Sequence, residues 1–296
     1  MVLLCLIWGL QQVAIKAAGA DVPPALQVAL RSGGSGLLVW LFSRVLLRER
    51  WRAGVAAPGL VAGVLFAGEF LFLAEGLRLT TASHIVVFLY TAPVFAAIGL
   101  HLALPEERLG RLQWAGIALA FLGIAVTFLG PRTGDAAAPA GWLAGDLLGV
   151  CAGAAWGLST VAIRVTRLSE APAAQTLFIQ LAVACVLLLP FAALTGQVRF
   201  HGSLIAWGSL GFQTVIVSFA SYLAWFELLR RYLAARLGVL SFMTPMFGVA
   251  AGALLLHEPL ERSFLAGAVL VMLGLLVVNA RAWLRSPVGS RGADLE

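Results

Sequence analysis

The residues with the strongest chemical character lie in apolar surroundings. Glu69 sits roughly two thirds along an apolar run covering residues 54–77. A charge at the centre of a membrane span costs at least ~2.5 kcal/mol, so the carboxylate should face the protein interior. Three roles suit it: holding a substrate ammonium, carrying a coupling proton, or pairing structurally with Arg31. Pro93 and Pro245 fall near the middle of two further apolar runs. Each removes a helix hydrogen bond and clashes with the preceding turn. In lipid the freed carbonyl must be met by protein or a cavity, so both prolines are candidate hinges. The bland reading is a packing kink.

Trp8 and Trp156 are each followed four residues later by a polar side chain, Gln12 and Thr160. That spacing puts ring and polar group on one helix face, and polar groups at such depth face protein or water. Interfacial tryptophan belts are the competing explanation. Tyr90, Tyr222, Trp225, Phe72 and Phe242 lie near the same level and could stack on a planar ligand. Aromatic rings in a bundle are, however, often simple packing. His84 titrates near neutral pH when unperturbed, although a lone histidine is more often a packed residue. These eleven residues are the candidate substrate-binding set.

The elements that must position them are membrane helices. The chain of 296 residues is 61% hydrophobic and 11% charged, with a mean hydropathy of +0.95. A soluble domain averages about 45–50% apolar and about 25% charged, and its surface could not be covered by so few polar residues. Ten runs approach the ~20 apolar residues a span requires: 2–18, 25–46, 54–77, 80–104, 110–129, 142–165, 172–195, 202–228, 232–256 and 263–284. The net charge of +6 does not indicate nucleic acid, because the arginines sit at the ends of these runs. Cys5, Cys151 and Cys185 lie inside apolar runs without metal-ligand spacing and read as small core residues. No basic leader precedes the first run, and Leu295-Glu296 reads as a cloning scar.

The chain repeats itself. Trp8 to Lys16 aligns with Trp156 to Arg164 at an offset of 148, with six of nine positions identical. At an offset of 152, Phe70, Glu75 and Arg78 align with Tyr222, Glu227 and Arg230. Pro93-Val94-Phe95 aligns with Pro245-Met246-Phe247, and Leu104 and Glu106 with Leu256 and Glu258. Glu75 and Arg78 read as a structural pair, as do Glu227 and Arg230. The expected organisation is a first five-helix repeat over 1–130, an external linker at 131–141, a second repeat over 142–285 and a tail at 286–296. An odd helix number per half turns the second half upside down. With the N-terminus inside, 14 basic residues fall on the cytoplasmic side, 5 on the other and 1 (Arg31) within a span. The positive-inside rule therefore predicts cytoplasmic termini. The expectation is an all-α integral membrane protein of ten transmembrane helices in two inverted five-helix repeats.

These motifs resemble the drug/metabolite transporter superfamily in its EamA branch. The Trp-Gly opening each half carries the likeness. So do the proline helices with their acidic turns (Pro93 to Glu106, Pro245 to Glu258) and the Leu-Gly helices (Leu122-Gly123, Leu273-Gly274). Within that branch, Leu89-Tyr90 ahead of Pro93 and Gly68-Glu69-Phe70 look like aromatic amino-acid exporters. The aromatic preceding the proline in those exporters is replaced by Ala92. The resemblance implies ten helices, inverted halves and a central substrate cavity.

Other classes fit poorly. The sequence has no Walker loop, H-E-x-x-H or G-x-S-x-G, no charged ring of a channel, and no pattern calling for a cofactor or metal. The expected partners are a small-molecule substrate, an amino acid or similar metabolite, and the lipid of a cytoplasmic inner membrane. The leading reading is export of aromatic or hydrophobic amino acids by alternating access. Export of other metabolites or drugs is the alternative, with an intramembrane enzyme or a scaffold more distant. Gly145, Gly149, Gly153 and Gly157 form a stripe expected to let another backbone approach closely.

Overall fold

The computed structural model describes residues 1–129, 141–231, 241 and 243–284. Phe242, most of the 131–141 linker, the 286–296 tail and part of the 232–256 run lie outside the described residues. Among the described residues all regular structure is helical. In chain order the helices are α1 (Val2–Ala17), α2 (Pro24–Trp40), α3 (Ala56–Leu79), α4 (Ala82–Leu89), α5 (Ala92–Ala103), α6 (Arg111–Leu129) and α7 (Trp142–Val165). They continue with α8 (Ala173–Leu194), α9 (Leu204–Gly211), α10 (Tyr222–Arg231), α11 (Met243–Leu255) and α12 (Arg262–Leu284). π-helical turns extend α2 over Leu41–Leu46 and join α9 to α10 over Phe212–Ser221.

Among the described residues, six helical segments are long and apolar enough to cross a membrane: Pro24–Leu46, Ala56–Leu79, Ala82–Ala103, Trp142–Val165, Ala173–Leu194 and Leu204–Trp225. Four shorter apolar helices accompany them, Val2–Ala17, Arg111–Thr127, Met243–Leu255 and Arg262–Val278. Large aliphatic side chains remain exposed along them, Leu102, Leu194 and Leu204 among others. Lipid tolerates such a surface and water does not.

The repeat read from the sequence is repeated in the packing. α1 lies against α11, and α7 lies against α4 and α5, which is the same pairing with the halves exchanged. A Cβ at Gly157 would stand 2.6 Å from the Ala92 carbonyl oxygen, 2.7 Å from Phe95 Cβ and 2.8 Å from the Ala96 nitrogen. A Cβ at Gly9 would stand 3.0 Å from the Thr244 oxygen, 3.0 Å from Phe247 Cβ and 2.8 Å from the Gly248 nitrogen. These are the same atoms one repeat later. α6 and α12 form a self-matching pair, with Gly116 against the Gly274 carbonyl and Gly123 against Gly267.

The ends of the helices sort into two groups. At one end Arg52 pairs with Glu170 at 2.6 Å, and Arg164 lies 3.7 Å from Glu107. At the other, Lys16 at the close of α1 donates to the Thr80 carbonyl, and the Thr80 hydroxyl donates to Asp146 near the start of α7 at 2.5 Å. The closing end of α1 therefore meets the opening end of α7. The first helices of the two halves run in opposite directions.

Candidate functional site

The α4–α5 junction comes first, because it places several site residues. Pro93 was expected to kink a continuous helix. Instead the helix stops at Leu89, turns through Tyr90 and Thr91, and restarts with Pro93 in the first turn of α5. Proline suits that position, where the missing N–H costs nothing. The Phe88 carbonyl is met twice, by the Thr91 backbone N–H at 3.1 Å and the Thr91 hydroxyl at 2.6 Å. Gly153 of α7 lies against this break, where a Cβ would stand 2.7 Å from the Phe88 oxygen and 3.1 Å from the Leu89 oxygen. The glycine stripe on α7 is thus the seam that receives the broken helix. Pro245 is the repeat equivalent of Pro93 and lies in α11, whose first residue adjoins position 242, outside the described residues.

The break turns Tyr90 toward Trp156. Their rings meet edge to face at 5.4 Å and 85°. Trp156 is half-buried and packs against two apolar clusters, one around Phe70, Leu73 and Leu89, the other around Val86, Tyr90 and Phe264. Trp8 meets Trp225 edge to face at 5.5 Å and donates its indole N–H to the Ser221 hydroxyl at 2.8 Å. The two tryptophans therefore have different partners although the repeat makes them equivalent. Phe72 and Tyr222 pack against the larger cluster. Gln12 is buried, with no partner for its side-chain oxygen among the described residues, whereas Thr160 is exposed and donates to the Trp156 carbonyl of its own helix at 3.2 Å.

Glu69 is buried on α3 beside Phe70. The direct Glu69–Arg31 ion pair, one of three readings of the sequence, is not formed among the described residues. Arg31 instead stands over the Phe70 ring at 4.1 Å, a favourable cation–π arrangement. Glu75 and Arg78 do pair, at 2.5 Å.

His84 belongs to a separate polar cluster. Its Nδ1 lies 2.8 and 3.0 Å from the two carboxylate oxygens of Asp146, and its ring stacks on Phe264 at 4.2 Å. Glu258 accepts from the Ala82 and Ser83 backbone N–H groups at 2.7 and 3.0 Å and from the Ser83 hydroxyl at 2.6 Å. This caps α4 with a carboxylate, where the helix dipole favours it. Asp146 and Glu258 were not among the expected site residues. Asp146 could have been singled out as the one carboxylate within its glycine-striped run. Glu258 hid inside the repeat motif. No group of three or more candidate metal ligands occurs among the described residues.

Comparison with known proteins decides the family. The EamA-like transporter family model matches residues 1–129 and again 143–280. The chain belongs to the EamA-like transporter family. It is a multi-pass membrane transporter fold built of two repeats. The chain is 29% identical to a Salmonella typhimurium protein named "Probable amino-acid metabolite efflux pump", over 93% of this chain and 92% of that one. An Escherichia coli protein of the same name is 28% identical over 93% and 92%. A Bacillus subtilis protein named "Uncharacterized transporter YvbV" is 27% identical over 94% and 90%. A crystal structure with 22% identity matches 97% of this chain and 96% of its own with a TM-score of 0.63, which establishes a shared fold.

Proposed function

We propose that this EamA-family protein is a secondary transporter that exports amino acids, with aromatic and hydrophobic ones favoured, from the cytoplasm. The chain crosses an inner membrane ten times with both termini inside. The observations that support this reading are the edge-to-face pairs made by the two repeat-equivalent tryptophans, Trp8 with Trp225 and Trp156 with Tyr90, the packing of Trp156 and Tyr222 on one apolar cluster, and a buried Glu69. Aromatic pairs gain ~0.5–1.5 kcal/mol beyond area burial, so an aromatic substrate can replace ring–ring contacts with ring–substrate contacts at little loss. The efflux-pump names of the two relatives point to the same substrate class.

The proposed mechanism is alternating access, with the halves exchanging conformations around the matched seams. Equivalent elements already differ. α3 is α-helical throughout Ala56–Leu79, whereas its counterpart passes through the π turn Phe212–Ser221. π turns cluster at functional sites, and this one ends at the residue that holds Trp8. The test is reconstitution in liposomes with labelled phenylalanine, competed against amino acids, nucleosides and drugs. Saturable uptake blocked by aromatic amino acids supports the reading. Competition only by nucleosides or drugs would favour metabolite or drug export instead.

A further inference from the structure

Arg31 is fully buried, and all three of its guanidinium nitrogens lack a hydrogen-bond partner among the described residues. Buried polar groups are almost always paired, and an uncompensated buried charge is among the most costly features a fold can carry. In a membrane span such a residue marks a functional position. The Phe70 ring lies 4.1 Å from the guanidinium carbon and takes none of its N–H groups in a hydrogen bond. Glu69, the residue before Phe70 on α3, is buried and closes no ion pair with Arg31 among the described residues. The hydroxyls of Ser32, beside Arg31, and Ser218, one turn before Tyr222, also lack partners among the described residues.

The repeat shows that the fold does not require these charges. Pro24 to Gln27 aligns with Pro172 to Gln175, which places Ile179 opposite Arg31, while Ser221 stands opposite Glu69. A buried cation rests on the ring of Phe70, a buried anion is the preceding residue, and neither has a charged counterpart at the equivalent position of the other half.

Building on the export reading above, we propose that Arg31 and Glu69 form a zwitterion clamp for a free α-amino acid. The planar fork of Arg31 takes the substrate carboxylate, a geometry guanidinium suits better than ammonium does. Glu69 takes the substrate ammonium, and the side chain of the substrate extends toward the tryptophans. The clamp rejects amines and carboxylic acids alike, because either would leave one protein charge buried and unanswered.

The test uses the full chain in proteoliposomes, with labelled phenylalanine competed by unlabelled phenylalanine, phenethylamine and 3-phenylpropionate. Each analogue lacks one charge. On the wild-type protein both should compete at least about 10-fold more weakly than phenylalanine, given the strength of hydrogen bonds to charged groups. Arg31→Gln should weaken phenylalanine about 10- to 100-fold and remove the disadvantage of phenethylamine. Glu69→Gln should do the same for 3-phenylpropionate, and Arg31→Lys should fall between wild type and Arg31→Gln. Retained discrimination against phenethylamine in a monodisperse Arg31→Gln protein overturns the proposal. If that variant does not fold, the wild-type competition decides: phenethylamine matching phenylalanine overturns the clamp. A wild-type protein that moves no amino acid overturns the export reading, and the clamp with it. One that moves phenylalanine while ignoring its carboxylate overturns the clamp alone.

Discussion

Trp8 donates its indole N–H to Ser221 at 2.8 Å, and the residue that stands where Ser221 does in the other half is Glu69. Exchanging the halves turns Trp8 and Ser221 into Trp156 and Glu69. The opposite-facing conformation should therefore bring the Trp156 N–H to the Glu69 carboxylate. Trp8→Phe and Ser221→Ala should each slow transport about 2- to 10-fold, as loss of a net hydrogen bond of ~0.5–1.5 kcal/mol allows. The double variant should be no slower than the worse single one. Additive losses in transport rate would show that the bond takes no part in the cycle.

Pro93→Ala and Pro245→Ala should leave the protein inserted and folded while slowing transport. Alanine at 93 restores an N–H that can bond the Leu89 carbonyl and fuse α4 with α5. Transport rate and thermal unfolding measured together separate a stiffened junction from a damaged one. Unchanged rates in both variants would reduce the breaks to packing.

The glycine seams make a sharper stability prediction. Gly157→Val should destabilise strongly, because a Cβ there meets backbone atoms of Ala92 and Ala96 that cannot move aside. Gly9→Val should act in the same direction. Gly208→Ala on α9 meets nothing within 4 Å and should be neutral or stabilising by up to ~1 kcal/mol, from helix propensity. Melting curves in detergent rank the three.

Asp146→Ala should cost about 3 kcal/mol, since it strips the Thr80 hydroxyl and the His84 ring of their buried partner. Asp146→Asn, which keeps an acceptor for Thr80, should cost less. Denaturation in a mild detergent measures both, and equal losses would argue against a hydrogen-bonding role.

A reporter fused at Arg291 should read cytoplasmic, and one inserted in 131–141 should read external. The reverse pattern would leave the packing intact and invert the direction of transport.

The repeat was legible in the sequence because Trp-Gly and Pro-x-Phe mark places where backbones must touch, and few residue types fit such contacts. Gly9 and Gly157 illustrate this, since each belongs to the Trp-Gly pair and each meets its partner helix at equivalent atoms. The proline effect was read in kind but not in form. Whether a helix bends or breaks depends on what surrounds the freed carbonyls: Thr91 donates to the Phe88 carbonyl, and Gly153, on a different helix, leaves the space the break needs. The His84–Asp146 contact was invisible for a similar reason, because 62 residues separate the partners. Arg31 was seen only as a possible partner of Glu69. That it stands on the Phe70 ring, with its nitrogens unclaimed, depends on the rotation of α2 against α3.

The seams between the halves have a further consequence. A contact set unchanged when its two sides are swapped is self-complementary, so two separate copies of one repeat could assemble through the same glycines. The present polypeptide holds both sides of such an interface in one chain. Because the two copies are covalently one chain, each can carry residues the other lacks, and the unmatched Arg31 and Glu69 are what that allows: an asymmetric charge pair inside a symmetric frame.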